Sequence, residues 1–268
     1  MANTRSAVSR APTRKPRNGI RGTSLGAWLS MVLVGAGSGC AGPEHPDATG
    51  PGPGGTASAA TNESARTLAN LPTITTRPSV PGYDRSCAAG HGCVFGPAWS
   101  DDVTVQYGHN GCSTRDDILR LQLRNVVTKV GTNGCVVLAA DLDDPYTGER
   151  IHYAKADAAQ VAVDHVVALD VSWDLGAAGW SAQQRRDFAN DPRNLLATTA
   201  TANAAKGNRT PSRWRPSTPA GRCLYAQRYI QVSAAYALPI TTADRTALLQ
   251  NLSDCPDNPH PTSSPEPS

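Results

Sequence analysis

The residues with the strongest chemical signal lie between positions 161 and 216. An apolar run ends in the pair Asp164 and His165, and Asn203 follows about forty residues later. Because side chains alternate along a strand, Asp164 and His165 are expected to point to opposite faces. A phosphate lying across them could meet a metal ion held by Asp164 and an imidazole base that titrates near neutrality. The Asp164 carboxylate and the Asn203 amide together form a hard donor set, which suits Mg²⁺.

Short elements of secondary structure are expected to position these side chains. Apolar runs of five to seven residues between polar segments are typical of strands, and Gly207 is typical of a helix end. The pair Asp164 and His165 should therefore lie on a strand, and Asn203 on the helix that follows a second strand. The predicted elements are a strand (161–167), a helix (181–190), a strand (194–200) and a helix (201–206).

The remaining elements surround this stretch and indicate the α+β class. Ser113, Ser181 and Thr241 each predict a helix N-cap, and the turn-forming sequence DPYTG between two apolar runs predicts a β-hairpin. No internal repeat is found in the sequence. The predicted elements are a helix near 63–71, a helix after Ser113, hairpin strands 135–141 and 150–154, and closing helices 223–236 and 241–252.

Positive charge is concentrated on the central stretch. The chain carries +3, but six of its 25 basic residues lie in the first 40 residues, which leaves 19 basic against 22 acidic residues. Residues 185–228 contain nine basic and two acidic residues, a distribution that favours a polyanionic partner and is equally compatible with an ordinary solvated surface. The candidate phosphate contacts are Arg185, Arg186, Lys206, Arg209 and Arg213.

The amino terminus predicts export. A basic segment, an apolar run of residues 25–36 and the small-residue cluster GAGSGC have the order of a secretory signal in residues 1–40. Cys40 lies where a bacterial lipoprotein would be cut and acylated, although Gly37 replaces the usual Leu or Val, so both a cell-surface lipoprotein and a secreted protein are open. We expect a disordered linker at 41–62, a folded domain at 63–256 and a disordered tail at 257–268.

Six cysteines remain after Cys40, an even number that suggests three disulfides in an exported protein. Six cysteines allow 15 pairings, and the sequence cannot choose among them rigorously. Because short loops are the easiest to close, we favour pairing each cysteine with its neighbour in sequence. A zinc site is disfavoured, since the chain has no Cys-x-x-Cys. The favoured pairs are Cys87–Cys93, Cys112–Cys135 and Cys223–Cys255.

The pattern DHVVAL, DPRNLLA and NAAKGNRTPSRW resembles the HNH nucleases of the His-Me finger (ββα-metal) superfamily. It is most similar to the C-terminal domain of GmrSD restriction enzymes and to secreted bacterial HNH proteins. The resemblance implies that Asp164 and Asn203 are metal ligands and that His165 is the general base. It also implies that Asn194 is the middle Asn of the motif and fixes the loop that carries the base. The third motif residue is Asn203 where the family name has His, which leaves the metal identity open.

The resemblance implies a ββα-metal core, to which the residue pattern adds flanking helices, a β-hairpin and the three disulfides. The implied function is an exported endonuclease that hydrolyses DNA, with RNA as a second candidate substrate, and that uses Mg²⁺ or another divalent cation such as Mn²⁺. We expect a monomer, anchored to the membrane if Cys40 is lipidated. The alternative is a non-catalytic surface lipoprotein that binds nucleic acid or a protein through a nuclease-like scaffold.

Overall fold

The computed structural model describes residues 53–256, with side chains from residue 59 onward. The signal, Cys40 and the tail at 257–268 lie outside the described residues. Seven α-helices and seven strands occur within residues 53–256. The helices are α1 (Pro53–Asn70), α2 (Thr114–Gln122), α3 (Leu169–Asp174), α4 (Ala182–Asn190), α5 (Ala200–Lys206), α6 (Pro219–Ala235) and α7 (Thr242–Leu252). The strands are β1 (Thr73–Ile74), β2 (Arg124–Thr128), β3 (Val137–Asp143), β4 (Arg150–Ala154), β5 (Val161–His165), β6 (Leu195–Thr199) and β7 (Ile240–Thr241).

The strands form three small sheets, which makes the protein a mixed α/β fold. Strands β2, β3 and β4 form an antiparallel sheet, β5 pairs with β6 antiparallel, and β1 pairs with β7 parallel. The hairpin expected around DPYTG is therefore present as β3 and β4. Strand β2 was not predicted from the sequence; none of its residues is buried, and its pairing with β3 is irregular.

Local hydrogen bonds explain where five of the helices begin. Each of these helices follows a Ser or Thr whose side chain accepts a hydrogen bond from a backbone N–H in the first turn, which satisfies one otherwise unpaired donor. The predicted caps at Ser113, Ser181 and Thr241 are all of this kind. The capping residues are Ser113 (α2), Ser181 (α4), Thr199 (α5), Thr218 (α6) and Thr241 (α7).

Two clusters of buried apolar side chains hold the elements together. The larger lies among α1, α3, α4, α6 and α7, with Phe188, Tyr225 and Leu248 fully buried at its centre. The smaller joins α2 to the strands and includes Ile118 and Leu195. Val161 and Val163 of strand β5 belong to the smaller cluster, whereas Val166 and Val167, directly after the strand, belong to the larger one. The chain is therefore held by packing on both sides of the pair Asp164 and His165.

Three disulfides join Cys87 to Cys93, Cys112 to Cys135 and Cys223 to Cys255. These are the pairs favoured from loop length. Helix α1 begins at Pro53, so it includes residues 53–62 that we had assigned to the disordered linker. None of the helices between residues 53 and 256 is long and apolar enough to cross a membrane.

Candidate active site

Strand β5, strand β6 and helix α5 place three of the predicted site residues around one cleft. In the antiparallel pair, Asp164 lies opposite Leu196 and His165 opposite Leu195. Thr199 ends β6 and caps α5 without an intervening loop, which puts Asn203 at the second turn of the helix. Asp164, His165 and Asn203 all line a cleft of about 570 Å³. The structure therefore brings together the residues that the sequence proposed for one site.

The orientation of the His165 ring is fixed by two neighbours. Its Nε2 lies 2.8 Å from the carbonyl oxygen of Ala189, and its ring stacks on Trp99 with centroids 5.9 Å apart and an interplanar angle of 10°. A carbonyl oxygen only accepts hydrogen bonds, so Nε2 must carry the proton and the neutral ring keeps its lone pair on Nδ1. Burial lowers the pKa of His165 to about 3. The imidazole is thus neutral at physiological pH with its Nδ1 lone pair available, but its pKa lies well below the near-neutral value expected from the sequence.

Asp164 is the most tightly held residue of the site. Its Oδ1 accepts a hydrogen bond of 2.9 Å from the Lys206 ammonium, and its Oδ2 accepts one of 2.8 Å from the Tyr146 hydroxyl. Asp164 is 3% exposed and Lys206 is 0% exposed. Burial raises the pKa of Asp164, and the interactions with Lys206 and Tyr146 oppose this rise. Lys206 also donates to the carbonyl oxygen of His165 at 2.8 Å, so one ammonium holds both residues of the Asp–His pair.

The DPYTG turn brings Tyr146 to Asp164. The carboxylate of Asp144 accepts hydrogen bonds from the Thr198 hydroxyl at 2.7 Å and from the Thr199 backbone N–H at 3.0 Å. This carboxylate also accepts from the Tyr146 N–H at 2.9 Å, so the turn is fastened to the end of β6. As a result the fully buried Tyr146 side chain reaches across the site. The sequence identified DPYTG only as a turn and did not indicate this role.

Asn194 is hydrogen-bonded to the chain just after His165. Its Oδ1 accepts from the Val167 N–H at 2.8 Å, and its Nδ2 donates to the Val167 carbonyl at 3.2 Å. The Asn194 carbonyl also accepts from the Val166 N–H at 2.8 Å. Asn194 is fully buried beneath the loop, so it acts as a positioning residue.

The donor set of the cleft fits a cation bound through oxygen. Each Asp164 oxygen accepts one hydrogen bond and has a second lone-pair site free, and the Asn203 side chain has no hydrogen-bond partner in the described part of the chain. Residues 53–256 contain no group of three or more His, Cys, Asp or Glu side chains able to hold a metal ion. A cation here would therefore rely on Asp164, Asn203 and water, as Mg²⁺ and Mn²⁺ can. Because Lys206 already compensates the Asp164 charge, we expect modest affinity.

Three of the five predicted phosphate contacts have structural partners instead, which corrects the sequence interpretation. Lys206 is completely buried beside Asp164 and cannot meet a substrate phosphate from that position. Arg185 is half-buried, donates to the carbonyls of Val94 and Trp180, and stacks over the Trp173 ring.

Arg186 forms an ion pair of 2.6 Å with Asp102. Arg209 and Arg213 are exposed, as expected, and line a separate groove of about 430 Å³. That groove shares Asn208 with the main cleft, so it is a continuation of the same surface.

The cleft also contains residues that the sequence did not indicate. Tyr83, Arg85 and Trp99 line it from the segment before α2, and Arg115 lines it from α2 itself while donating to the Val161 carbonyl at 2.8 Å. Nothing in their local pattern separates these side chains from ordinary surface arginines and loop aromatics. They reach the site only through the tertiary fold.

Comparison with known proteins agrees with a nuclease-like domain. The family described as "GmrSD restriction endonucleases, C-terminal domain" matches residues 113–251, about half of the chain. The chain is 34% identical over 186 residues to an uncharacterized secreted protein of Arthroderma benhamiae, a match that covers 68% of this chain and 81% of that relative. No solved structure matches the chain.

The fold and cleft define a nuclease-like α/β protein. The chain belongs to the family of the GmrSD restriction endonuclease C-terminal domain, as its sequence pattern had suggested. The match begins at Ser113. The cleft residues Tyr83, Arg85 and Trp99 therefore come from a segment that precedes the matched domain.

Proposed function

We propose that this protein is an exported endonuclease that hydrolyses phosphodiester bonds of DNA, with RNA as a second substrate class. The observation that carries the proposal is the protonation state, orientation and accessibility of the His165 ring. The ring is neutral, its Nε2–H is bound to the Ala189 carbonyl, and its free Nδ1 belongs to a side chain that lines the cleft. A general base needs this combination of lone pair, fixed orientation and access.

In the proposed reaction a water molecule attacks the phosphorus atom while Nδ1 of His165 takes its proton. The bond between phosphorus and the 3′ oxygen breaks, and its electron pair leaves with that oxygen, which is protonated from solvent. The products carry a 5′-phosphate and a 3′-hydroxyl. A divalent cation held by Asp164 and Asn203 would neutralise charge on the phosphate and the leaving oxygen.

Several residues of the site act by positioning others. Asn194 fixes the backbone at Val167, directly after the base, and Trp99 and Ala189 fix the ring of His165. Lys206 and Tyr146 hold the Asp164 carboxylate. We infer that strand β5, strand β6 and helix α5 correspond to the ββα-metal core of HNH nucleases, with residues 166–194 inserted between the two strands.

Substrate binding is expected to extend from the cleft towards Arg209 and Arg213. Both are exposed and border the groove that shares Asn208 with the cleft. Positive side chains that meet phosphates bind nucleic acid without reading its sequence, so we expect weak sequence preference. Positive charge and the continuity of the surface support this path.

Export is supported by the three disulfides and by similarity to a relative named as secreted. Disulfides persist in oxidising compartments outside the cytosol. Both lipidation at Cys40 and simple secretion remain proposals, as do the signal at 1–40 and the monomeric state.

A plasmid-nicking assay tests the function. Purified protein should nick supercoiled DNA in the presence of Mg²⁺ or Mn²⁺, and excess EDTA should stop it. His165→Ala should reduce the rate by about 10²-fold or more, because it removes the base. His152→Ala is the matched control, since His152 is exposed on β4 and is not among the residues lining the cleft. Wild-type rates from pure His165→Ala protein would refute the mechanism. Binding without cleavage would favour the non-catalytic scaffold.

A further inference from the structure

Residues 83–99 form one wall of the cleft, and this wall contains one arginine side chain without an ionic partner among the described residues. Arg85 lines the main cleft together with Asp164, His165 and Asn203, and it also lines a smaller cavity of about 130 Å³ that borders His165. Its position in both cavities places its side chain beside the proposed base. The segment that carries it precedes the matched family domain, which begins at Ser113.

The charge of Arg85 has no internal partner. The side chain is exposed, and among the described side chains none forms a hydrogen bond or ion pair with its guanidinium group. Arg186, by contrast, is paired with Asp102. The neighbouring Asp84 is bound instead to the backbone N–H groups of Ser86 and Gly92 and to the ring of His91. An unpaired guanidinium at the edge of a cleft is ready to bind an anion.

The loop that carries Arg85 is held in one conformation. The Asp84 carbonyl accepts from the Val94 N–H at 3.0 Å, and the Ser86 carbonyl accepts from the Cys93 N–H at 3.0 Å. The disulfide between Cys87 and Cys93 closes the same loop. The backbone on both sides of Arg85 is therefore fixed, which reduces the entropy lost when its side chain binds a ligand.

We propose that Arg85 binds the scissile phosphate next to His165, an assignment that rests on the proposed nuclease function. The planar guanidinium group can donate two parallel hydrogen bonds to two non-bridging phosphate oxygens. These oxygens gain negative charge as the water attacks, so the contact strengthens in the transition state. The Cys87–Cys93 disulfide positions Arg85 for this contact.

The first test measures cleavage by Arg85→Ala, Arg85→Lys and Arg66→Ala. Arg85→Ala should lower kcat/KM by about 10²-fold, the scale for loss of one charge-stabilising donor, and Arg85→Lys should restore part of it. Arg66 is the matched control, because it is exposed on α1 and is not among the residues that line the cleft. All three variants should keep the wild-type Tm. Equal kcat/KM for Arg85→Ala and Arg66→Ala would overturn the proposal.

A second test does not require cleavage. In the His165→Ala background, binding of a fluorescent single-stranded oligonucleotide is measured at several salt concentrations. Loss of one phosphate contact should reduce the slope of log K against log salt by about 0.7 in Arg85→Ala and leave it unchanged in Arg66→Ala. An unchanged slope in Arg85→Ala would refute the contact whatever the kinetics show. If the wild type cuts neither DNA nor RNA, the nuclease function fails, and the slope still decides whether Arg85 binds phosphate.

The positioning role of the disulfide is tested by a double-mutant cycle. Replacing both Cys87 and Cys93 by Ser should lower kcat/KM in the presence of Arg85 and have little further effect in Arg85→Ala protein. Equal losses in both backgrounds would show that the disulfide acts independently of Arg85.

Discussion

The Lys206 ammonium lies 2.9 Å from Oδ1 of Asp164, and both side chains are buried. Lys206 comes from α5 and Asp164 from β5, so this ion pair ties the helix to the strand that carries the base. Taking two charges out of water is costly, and the pair is stable only while both partners are present. Loss of either Lys206 or Asp164 should therefore destabilise the packing of α5 against β5.

Removal of Lys206 should strongly destabilise the protein. Lys206→Met leaves the Asp164 carboxylate buried without its counter-ion, which should cost about 3–5 kcal/mol of unfolding free energy. The double variant Asp164→Asn with Lys206→Met should lose clearly less, because no uncompensated charge remains. Urea unfolding measures both, and Lys129→Met on an exposed loop is the control. If Lys206→Met unfolds at the wild-type urea concentration, the ion pair does not have this role.

Substitutions of Asn203 should either raise or lower the Mg²⁺ concentration that nicking requires, depending on the new side chain. Asn203→Ala should raise the Mg²⁺ concentration needed for half-maximal nicking, and Asn203→Asp should lower it, because a carboxylate replaces a neutral oxygen donor. Thr201→Ala, an exposed position on the same helix, should leave the requirement unchanged. Asp164→Asn should abolish activity, and thermal unfolding of the same protein must show that it is folded, because the substitution leaves Lys206 buried without its counter-ion. Wild-type cleavage in excess chelator would show that Asp164 and Asn203 do not form a catalytic metal site.

The free energy of unfolding should decrease at acidic pH because His165 is buried in its neutral form. Burial lowers the pKa of this residue from 6.5 to about 3, so between these values the unfolded chain binds a proton that the folded chain does not. The contribution of the neutral ring to the free energy of unfolding is therefore fully present above about pH 6.5. It decreases as the pH falls towards 3, by at most about 1.4 kcal/mol per pH unit. In urea unfolding with EDTA at pH 5.0 and 7.5, His165→Gln should show a smaller pH difference than the wild type or His152→Gln. An identical pH difference in His165→Gln would contradict the burial of a neutral imidazole.

Much of the fold could be predicted because its signals are local. Ser113, Ser181 and Thr241 cap helices through hydrogen bonds within three residues, and Gly207 ends α5 with a positive φ of 53°. Such contacts form between residues that are close in sequence, so the sequence pattern alone can predict them. Strand β2 lacked a local signal and was missed.

The partners of the site residues could not be predicted in the same way. Lys206 reaches Asp164 from 42 positions away, and Tyr146 reaches it from 18 positions away. The sequence placed Lys206 in a basic segment, which suggested phosphate binding, whereas the fold buries it. Arg85 lay outside that segment and was overlooked for the same reason. The clustering of charge along the sequence does not predict which basic side chains remain unpaired after folding.

The three disulfides should contribute unequally to stability. The chain-entropy relation gives about 3.7 kcal/mol for a loop of the Cys223–Cys255 length, about 3.4 for Cys112–Cys135 and about 2.2 for Cys87–Cys93. Cys223 and Cys255 are also buried in the larger core, where they join α6 to the end of α7. Because domains have total stabilities of about 5–15 kcal/mol, loss of two disulfides could unfold this one.

Peptide mapping of unreduced protein should find these pairs and no free thiol in the mature exported chain. Paired Cys→Ser substitutions, followed by thermal unfolding, should then lower Tm most at Cys223–Cys255 and least at Cys87–Cys93. A shift of about 2–4 °C per kcal/mol is expected for a domain of this size, so the first pair should cost about 10 °C. Free thiols at Cys112 and Cys135 in exported material would refute the pairing. A larger loss of Tm at Cys87–Cys93 than at Cys223–Cys255 would refute the ranking.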